Sequence, residues 1–494
     1  MNETPEGSVL PDIGRLAWRA ALDADGARRE VELRAAELSG FERAVLGVVL
    51  EVADTGANRR TAAPRILPEL VGLSRTIAAE RGGRDGASIR MDLRRVANAK
   101  TLHLLREAGL YEDGEGVQPV WPHAGMLILN TMLGCSFGCA YCFRADEQQE
   151  GVEWFLSGRP TQVVDEATVV DRLARHPLFV PGVTQIGLHS ATTEPFLPQV
   201  RESTFALLDL LESASWGNDV MIITKHFLRE ADVDRLAAYR SFQILLFLTH
   251  NAAPAAMETM GASAGFLERK RRTVEHVLAR PNLAAAHYYR PIVPGWNDAP
   301  EQIEAALRFG EPLGLTVIGG LKEIPQLKEV SALRGLPLPL LDDTAGRDKH
   351  FPPELVDRIL KIHRELGLTS TIVGDQSCGL TVMLSRLRGR PVPNVEATRM
   401  YDLATGRSAK CMGLCSPEQL AACTAPAPPE PARVEALLHR FGVTAQFAVA
   451  PDGVRLYSTR QPDRHVIDAL AAHLRFAVHW RGDRQAATTP PVEE

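Results

Sequence analysis

No run of about 18 uninterrupted apolar residues occurs in the 494-residue chain, so no segment reads as a transmembrane helix. The opening Met1-Asn2-Glu3-Thr4-Pro5-Glu6-Gly7 is acidic and lacks the basic-then-apolar order of a secretory signal, and the expectation is a cytoplasmic protein. Basic charge is in short supply. Lys and Arg number 55 against 61 Asp and Glu, for a net charge of −6. Nucleic-acid binders usually carry clustered basic surface, so this balance argues against nucleic acid as a partner. The densest basic run, Arg269-Lys270-Arg271-Arg272, lies in a helical pattern whose apolar face is Phe266, Val274, Val277 and Leu278; it reads as a solvated helix face. Aromatic residues are only 6% of the chain, and no basic platform of stacking rings is visible. Cysteine is scarce too, with seven in all and none between Cys142 and Cys378, a usage that suits a reducing compartment.

The length implies two to four domains. Residues 1–120 read as a helical N-terminal domain. Ser39-Gly40-Phe41-Glu42 has the form of a capping box, and helices are expected at Glu69–Ala79 and Lys100–Gly109. Residues 121–325 switch to alternation. Strands are expected at Met126–Asn130, Gln185–His189, Asp219–Thr224, Gln243–Thr249, Ala285–Ile292 and Leu315–Gly319. Helices are expected at Glu166–Arg175, Glu202–Ala214, Glu230–Tyr239, Gly265–Ala279 and Pro300–Phe309. Such alternation implies right-handed βαβ units on a parallel sheet, hence an α/β fold. Residues 326–424 form an extension with a helix at Glu354–Leu366 and four cysteines. Residues 425–485 open on a Pro/Ala-rich linker and continue as a small α/β module, with Asp452-Gly453 as a hairpin turn; residues 486–494 read as a disordered tail.

The chemistry concentrates in Gly134-Cys135-Ser136-Phe137-Gly138-Cys139-Ala140-Tyr141-Cys142-Phe143. Its spacing is C-x3-C-x2-C. Thiolates this close on one loop can hold three irons of a 4Fe–4S cube and leave the fourth iron open. Short cysteine clusters also bind zinc, and a structural zinc loop is the alternative reading. The loop follows the apolar run Met126–Asn130, which reads as a buried strand.

This loop resembles the signature of the radical S-adenosylmethionine (SAM) enzymes. The resemblance implies a partial (β/α)6 barrel with the cysteine loop at a strand's carboxyl end. It also implies a 4Fe–4S cluster on Cys135, Cys139 and Cys142, with SAM on the open iron. In that family an electron from the cluster cleaves SAM, and the resulting 5′-deoxyadenosyl radical abstracts hydrogen from a substrate. A reductase such as flavodoxin or ferredoxin is the implied electron donor, and Tyr141 stands where the family carries an aromatic.

Four further stretches resemble the spore photoproduct lyase-like branch: Ser190-Ala191-Thr192-Thr193-Glu194-Pro195-Phe196-Leu197-Pro198-Gln199, Ile222-Ile223-Thr224-Lys225-His226, Met257-Glu258, and Arg290-Pro291-Ile292-Val293-Pro294-Gly295-Trp296-Asn297-Asp298. The branch implies that Glu194 helps hold the SAM amino group, that Lys225 binds its carboxylate or ribose, and that Thr249 offers it a hydroxyl. Glu258 reads as a loop anchor. The spore enzyme returns hydrogen to its product through an extra cysteine after the cluster loop. None stands there in this chain, which argues against lesion repair by that route. The expected substrate is therefore a small molecule or peptide in a biosynthetic pathway. The other readings are a nucleic-acid repair or modification enzyme and a non-catalytic, metal-stabilised binding protein.

The remaining cysteines, Cys378, Cys411, Cys415 and Cys423, have the count for a second 4Fe–4S cube or an all-cysteine zinc site. Buried, unligated thiols are the third possibility. A cube requires the four to converge, with a short apolar helix at Leu380–Leu387 filling the gap. His189 and His250 end expected strands. In His287-Tyr288-Tyr289 alternate side chains are expected to face the barrel interior, although a core role is the commoner one for such residues.

Overall fold

A computed structural model describes residues 119–135, 137, 139, 141–142, 160–189, 192–254, 257–258, 264–321, 352–394, 401–402, 407–408 and 415–482. The expected N-terminal helices, the tail from residue 486 and Cys411 lie outside these residues. The chain divides into two compact units. One gathers Met1–Val117, Met132–Val163 and Ile324–Leu336, and the other gathers Gln118–Thr131, Val164–Glu323 and Pro337–Glu494.

In the first unit, the cysteine loop follows a short strand, β3 (Met132–Leu133), that pairs antiparallel with β4 (Thr161–Gln162).

The second unit is built on an eight-stranded sheet. Its members are β1 (Val120–His123), β2 (Met126–Leu129), β5 (Ile186–Leu188), β6 (Val220–Thr224), β7 (Ile244–Thr249), β8 (Ala284–Ile292), β9 (Leu315–Gly320) and β10 (Thr371–Val373), in that spatial order. β1 runs antiparallel to β2; every other neighbouring pair is parallel. Each parallel strand lies beside the one before it, without the reversal of a doubly wound sheet. The expected alternation of strands and helices is thus present, with ends shifted by a residue or so. β1 and β10 were not foreseen. β1 is a hairpin partner of β2 through the turn Ala124-Gly125, where both residues have positive φ (50° and 82°). β10 is only three residues long, too short to carry a period of its own.

The strand sequences explain the burial. β6 is Val-Met-Ile-Ile-Thr and β7 Ile-Leu-Leu-Phe-Leu-Thr, near-continuous apolar runs of the kind covered on both faces. Alternation sorts their side chains. One face places Met126, Ile128, Met221, Phe247, Tyr288 and Val317 in a cluster closed by Leu380, Met383 and Leu384 of the helix Gln376–Arg388. The other face sends Tyr289, Ile292 and Ile318 to Ile303 and Leu307 of the helix Pro300–Gly310 and to Leu355 and Ile359 of the helix Pro353–Glu365. The apolar helix expected at Leu380–Leu387 therefore exists, and is longer. It seats against the sheet because Gly379 has no side chain: a Cβ there would lie 2.5 Å from Val317 Cγ2 and 2.9 Å from Phe247 Cε1.

The C-terminal module contains the helix Pro431–Arg440, an antiparallel pair β11 (Gln446–Ala450) and β12 (Gly453–Tyr457), the helix Arg464–Leu474 and β13 (Val478–Trp480) parallel to β12. It docks at the amino ends of the parallel strands. Thr184 Oγ1 meets His473 Nε2 at 2.8 Å, and Arg440 donates to the Phe179 carbonyl at 2.9 Å. No helix among the described residues is long and apolar enough to cross a membrane.

Candidate active site

Cys135, Cys139 and Cys142 are half-buried and in no disulfide. The loop is tight: the Cys142 N–H donates to the Cys139 carbonyl at 3.3 Å, and Phe137 between the first two cysteines is buried. Tyr141 is half-buried beside Cys142. Among the described residues no three His, Cys, Asp or Glu side chains gather as ligands of a single metal ion. A 4Fe–4S cube asks for something different, one thiolate on each of several irons, and three reduced cysteines on one short loop fit that donor set.

In the second unit the carboxyl ends of the parallel strands carry a row of buried polar groups, the place where parallel α/β sheets bind ligands. Asn130 follows β2 and accepts a hydrogen bond from Thr192 at 3.0 Å. Glu194 lies in the segment after β5. Its carboxylate accepts from the Thr224 hydroxyl at the end of β6, from the Lys225 N–H at 2.8 Å and from the Phe196 N–H at 3.4 Å. Burial pushes this carboxyl up from its ordinary pKa, and the hydrogen bonds oppose the shift. Glu194 thus ties the end of β5 to the end of β6.

Lys225 turns its ammonium onto Glu258, and both side chains are largely buried. Burial pushes Glu258 up to about 7, against the pull of Lys270; the contact with Lys225 also favours the charged carboxylate. Thr249 ends β7, is buried, and its carbonyl accepts from Lys270 Nζ. Two cations, Lys225 and Lys270, therefore stand near one carboxylate, Glu258.

Lys270 corrects the reading of the basic run. It is only 5% exposed. In the helix Ala264–Leu278 it lies four residues from Phe266 and four from Val274, on the buried face. Leu278, assigned to that face, is 51% exposed at the helix end. The spacing 266, 270, 274, 277 was the available signal; the charge of Lys270 concealed it.

The histidines divide. His287 and Tyr289 point to the side of the helix Pro300–Gly310, while Tyr288 points to the opposite cluster. His287 is wholly buried, with Nε2 2.7 Å from the His250 carbonyl and Nδ1 3.3 Å from Thr316 Oγ1; burial brings its pKa down to about 3. It is a core residue. His189 differs: it follows β5 in a left-handed conformation (φ 50°), fully buried, and neither ring nitrogen has a hydrogen-bond partner. Burial holds it neutral, with a pKa of about 3.

The second cysteine group is partly described. Cys378 is the third residue of the helix Gln376–Arg388, with its sulfur 3.7 Å from Asn394 Nδ2. Cys423, in the helix Pro417–Thr424, lies 3.4 Å from Gln419 Nε2, and Gln419 also meets Ser385 and the Val392 carbonyl. Cys378 and Cys415 pack against the same apolar cluster.

No family model and no curated protein matches the chain. Among solved structures, a double mutant of spore photoproduct lyase with bound AdoMet and dinucleoside spore photoproduct is similar. The identity is 15% and the TM-score 0.36, over 48% of this chain and 73% of that one. At that identity and TM-score it assigns no residue a role.

Proposed function

We propose that this chain is a radical SAM enzyme, with its sheet rolled into the partial (β/α)6 barrel of that family. The carrying observation is the set of three half-buried, reduced cysteines on one tight loop, in C-x3-C-x2-C spacing. Cys135, Cys139 and Cys142 would hold a 4Fe–4S cluster, and Tyr141, Glu194, Lys225 and Thr249 would hold SAM. When bound, cluster and SAM supply reductive cleavage of SAM and abstraction of hydrogen from a substrate. The strand-end electrostatics suit a zwitterionic methionine group. Glu194 offers a carboxylate for an ammonium, and Lys225 an ammonium for a carboxylate.

We assign the substrate to small molecules or peptides of a biosynthetic pathway, the electron donor to a flavodoxin or ferredoxin, and the compartment to the cytoplasm. A second 4Fe–4S cube on Cys378, Cys411, Cys415 and Cys423 belongs to the same proposal; the shared packing of Cys378 and Cys415 supports it. The test is anaerobic reconstitution followed by iron, sulfide and zinc analysis and assay of 5′-deoxyadenosine. Native chain should form 5′-deoxyadenosine, and Cys135→Ala, Cys139→Ala and Cys142→Ala should abolish it. A chain that takes up zinc without iron and leaves SAM intact refutes the proposal in favour of a metal-stabilised binding protein.

A further inference from the structure

Arg290 stands two residues before the carboxyl end of β8 and shares a face of the sheet with Tyr288, the face closed by the helix Gln376–Arg388. The two strands here are out of step. Tyr289 pairs with Ile318 and Ile292 with Gly320, so β8 carries one extra residue across the Arg290-Pro291 step. A bulge of this kind re-aims a side chain, and bulges are common beside active sites. The residue of β9 opposite the bulge is Gly319. A Cβ there would lie 3.1 Å from Arg290 Cδ and 3.5 Å from Nε, so the bare glycine lets the arginine lie across β9. Arg290 Nη1 donates to the Tyr288 hydroxyl at 2.8 Å, and that hydroxyl lies 3.5 Å from Gln376 Oε1 at the start of the helix. Bulge, glycine and tyrosine together fix the direction of the guanidinium.

The charge of Arg290 is not answered within the protein. Among the described residues no carboxylate pairs with it. Lys225 at the end of β6 meets Glu258, and Arg388 at the far end of the helix meets Asp219. Arg290 is half-buried; its Nε and Nη2 make no protein hydrogen bond and are not sealed from solvent. An aimed cation with open donors thus stands at the end of a parallel sheet where ligands bind.

We propose that Arg290 is a specificity-determining residue that takes a carboxylate of the substrate in a forked pair through Nε and Nη2. The proposal rests on the reading of this chain as an enzyme that works at this end of the sheet. The fork offers two parallel N–H bonds to the two oxygens of one carboxylate, and the planar guanidinium does so where a lysine could not. The substrate class narrows to carboxylic acids, including a peptide held by its C-terminus or by an acidic side chain.

The probe is para-fluorobenzoate on the full chain, read by fluorine line broadening. Native protein should broaden the signal of para-fluorobenzoate and leave that of the neutral para-fluorobenzamide sharp. Arg290→Gln should weaken binding about tenfold or more. Arg290→Lys keeps the charge without the fork and should bind between the two; it decides the matter if Arg290→Gln fails to fold, since binding at native strength would exclude the fork. Gly319→Ala keeps the charge but crowds the arginine, and should also weaken binding. No broadening with native chain, equal broadening of the benzamide, or binding unchanged in Arg290→Gln would overturn the proposal. Tighter binding of para-fluorophenyl phosphate would overturn it in favour of a phosphate-bearing substrate. Displacement of the probe by SAM on the reconstituted chain would hand Arg290 to the cofactor and overturn it too. Probe binding needs no iron, so its failure is distinct from a failure to form 5′-deoxyadenosine.

Discussion

Replacing Gly125 by Ala should loosen the C-terminal module. Gly125 sits at φ 82° in the β1–β2 turn, and a Cβ there would lie 2.4 Å from Ala472 Cβ and 2.8 Å from the Asp468 carbonyl oxygen, both on the helix Arg464–Leu474. Two costs combine. A side chain in left-handed backbone costs about 1–2 kcal/mol, and overpacking against a seated helix about 1–3 kcal/mol. Neither neighbour is the far end of a flexible side chain, so the helix itself must shift. The expected loss is about 2–5 kcal/mol, or roughly 30- to several-thousand-fold in the opening equilibrium. Amide hydrogen exchange of the helix Arg464–Leu474 in the native chain reads that equilibrium directly. Gly367→Ala is the control: φ is 66°, with nothing within 4 Å of its Cβ, so only the backbone cost of about 1–2 kcal/mol applies, and elsewhere in the fold. Exchange in the Arg464–Leu474 helix that changes less than about threefold in Gly125→Ala, or equally in Gly367→Ala, would refute the reasoning.

Acid should destabilise the chain from about pH 6.5 downward. His189 and His287 have folded pKa values of about 3 and His473 of about 4, all below the ordinary 6.5, so their contribution is complete above pH 6.5 and is lost as pH falls toward the folded values. At about 1.4 kcal/mol per pH unit for each histidine, denaturant midpoints at pH 7 and 5 should differ clearly, and identical midpoints would contradict it. Glu258→Gln removes the carboxylate from Lys225 and should cost about 2–4 kcal/mol, whereas Glu258→Gln with Lys225→Met should recover much of that loss; equal urea midpoints for single and double variants would show the pair uncoupled. If the second cube forms, Cys415→Ser should lower reconstituted iron from about eight to about four per chain while 5′-deoxyadenosine remains detectable; unchanged iron would remove Cys415 from any cluster.

What the sequence by itself determined was local. The apolar runs of β6 and β7, the amphipathic helix Glu166–Arg175 and the Gly-bounded cysteine loop are visible because periodicity and thiolate spacing act over a few residues. Lys225 and Thr249 stand at the ends of apolar runs, but Glu194 lies well beyond β5, and a role for any of the three was implied only by the resemblance of their segments to a known branch. Tertiary structure decided which of these groups meet. Lys225 finds Glu258, 33 residues away, and Glu194 turns to Thr224 and the Lys225 backbone. Lys270 leaves the solvated face to cap the Thr249 carbonyl. His287 and Tyr288 go to opposite faces of the sheet. The helix Gln376–Arg388 closes one of those faces only because Gly379 lets it approach. Such pairings depend on strand register and helix docking, which place residues far apart in sequence within hydrogen-bond reach. A periodic pattern specifies which face of an element is apolar, but not what that face will touch.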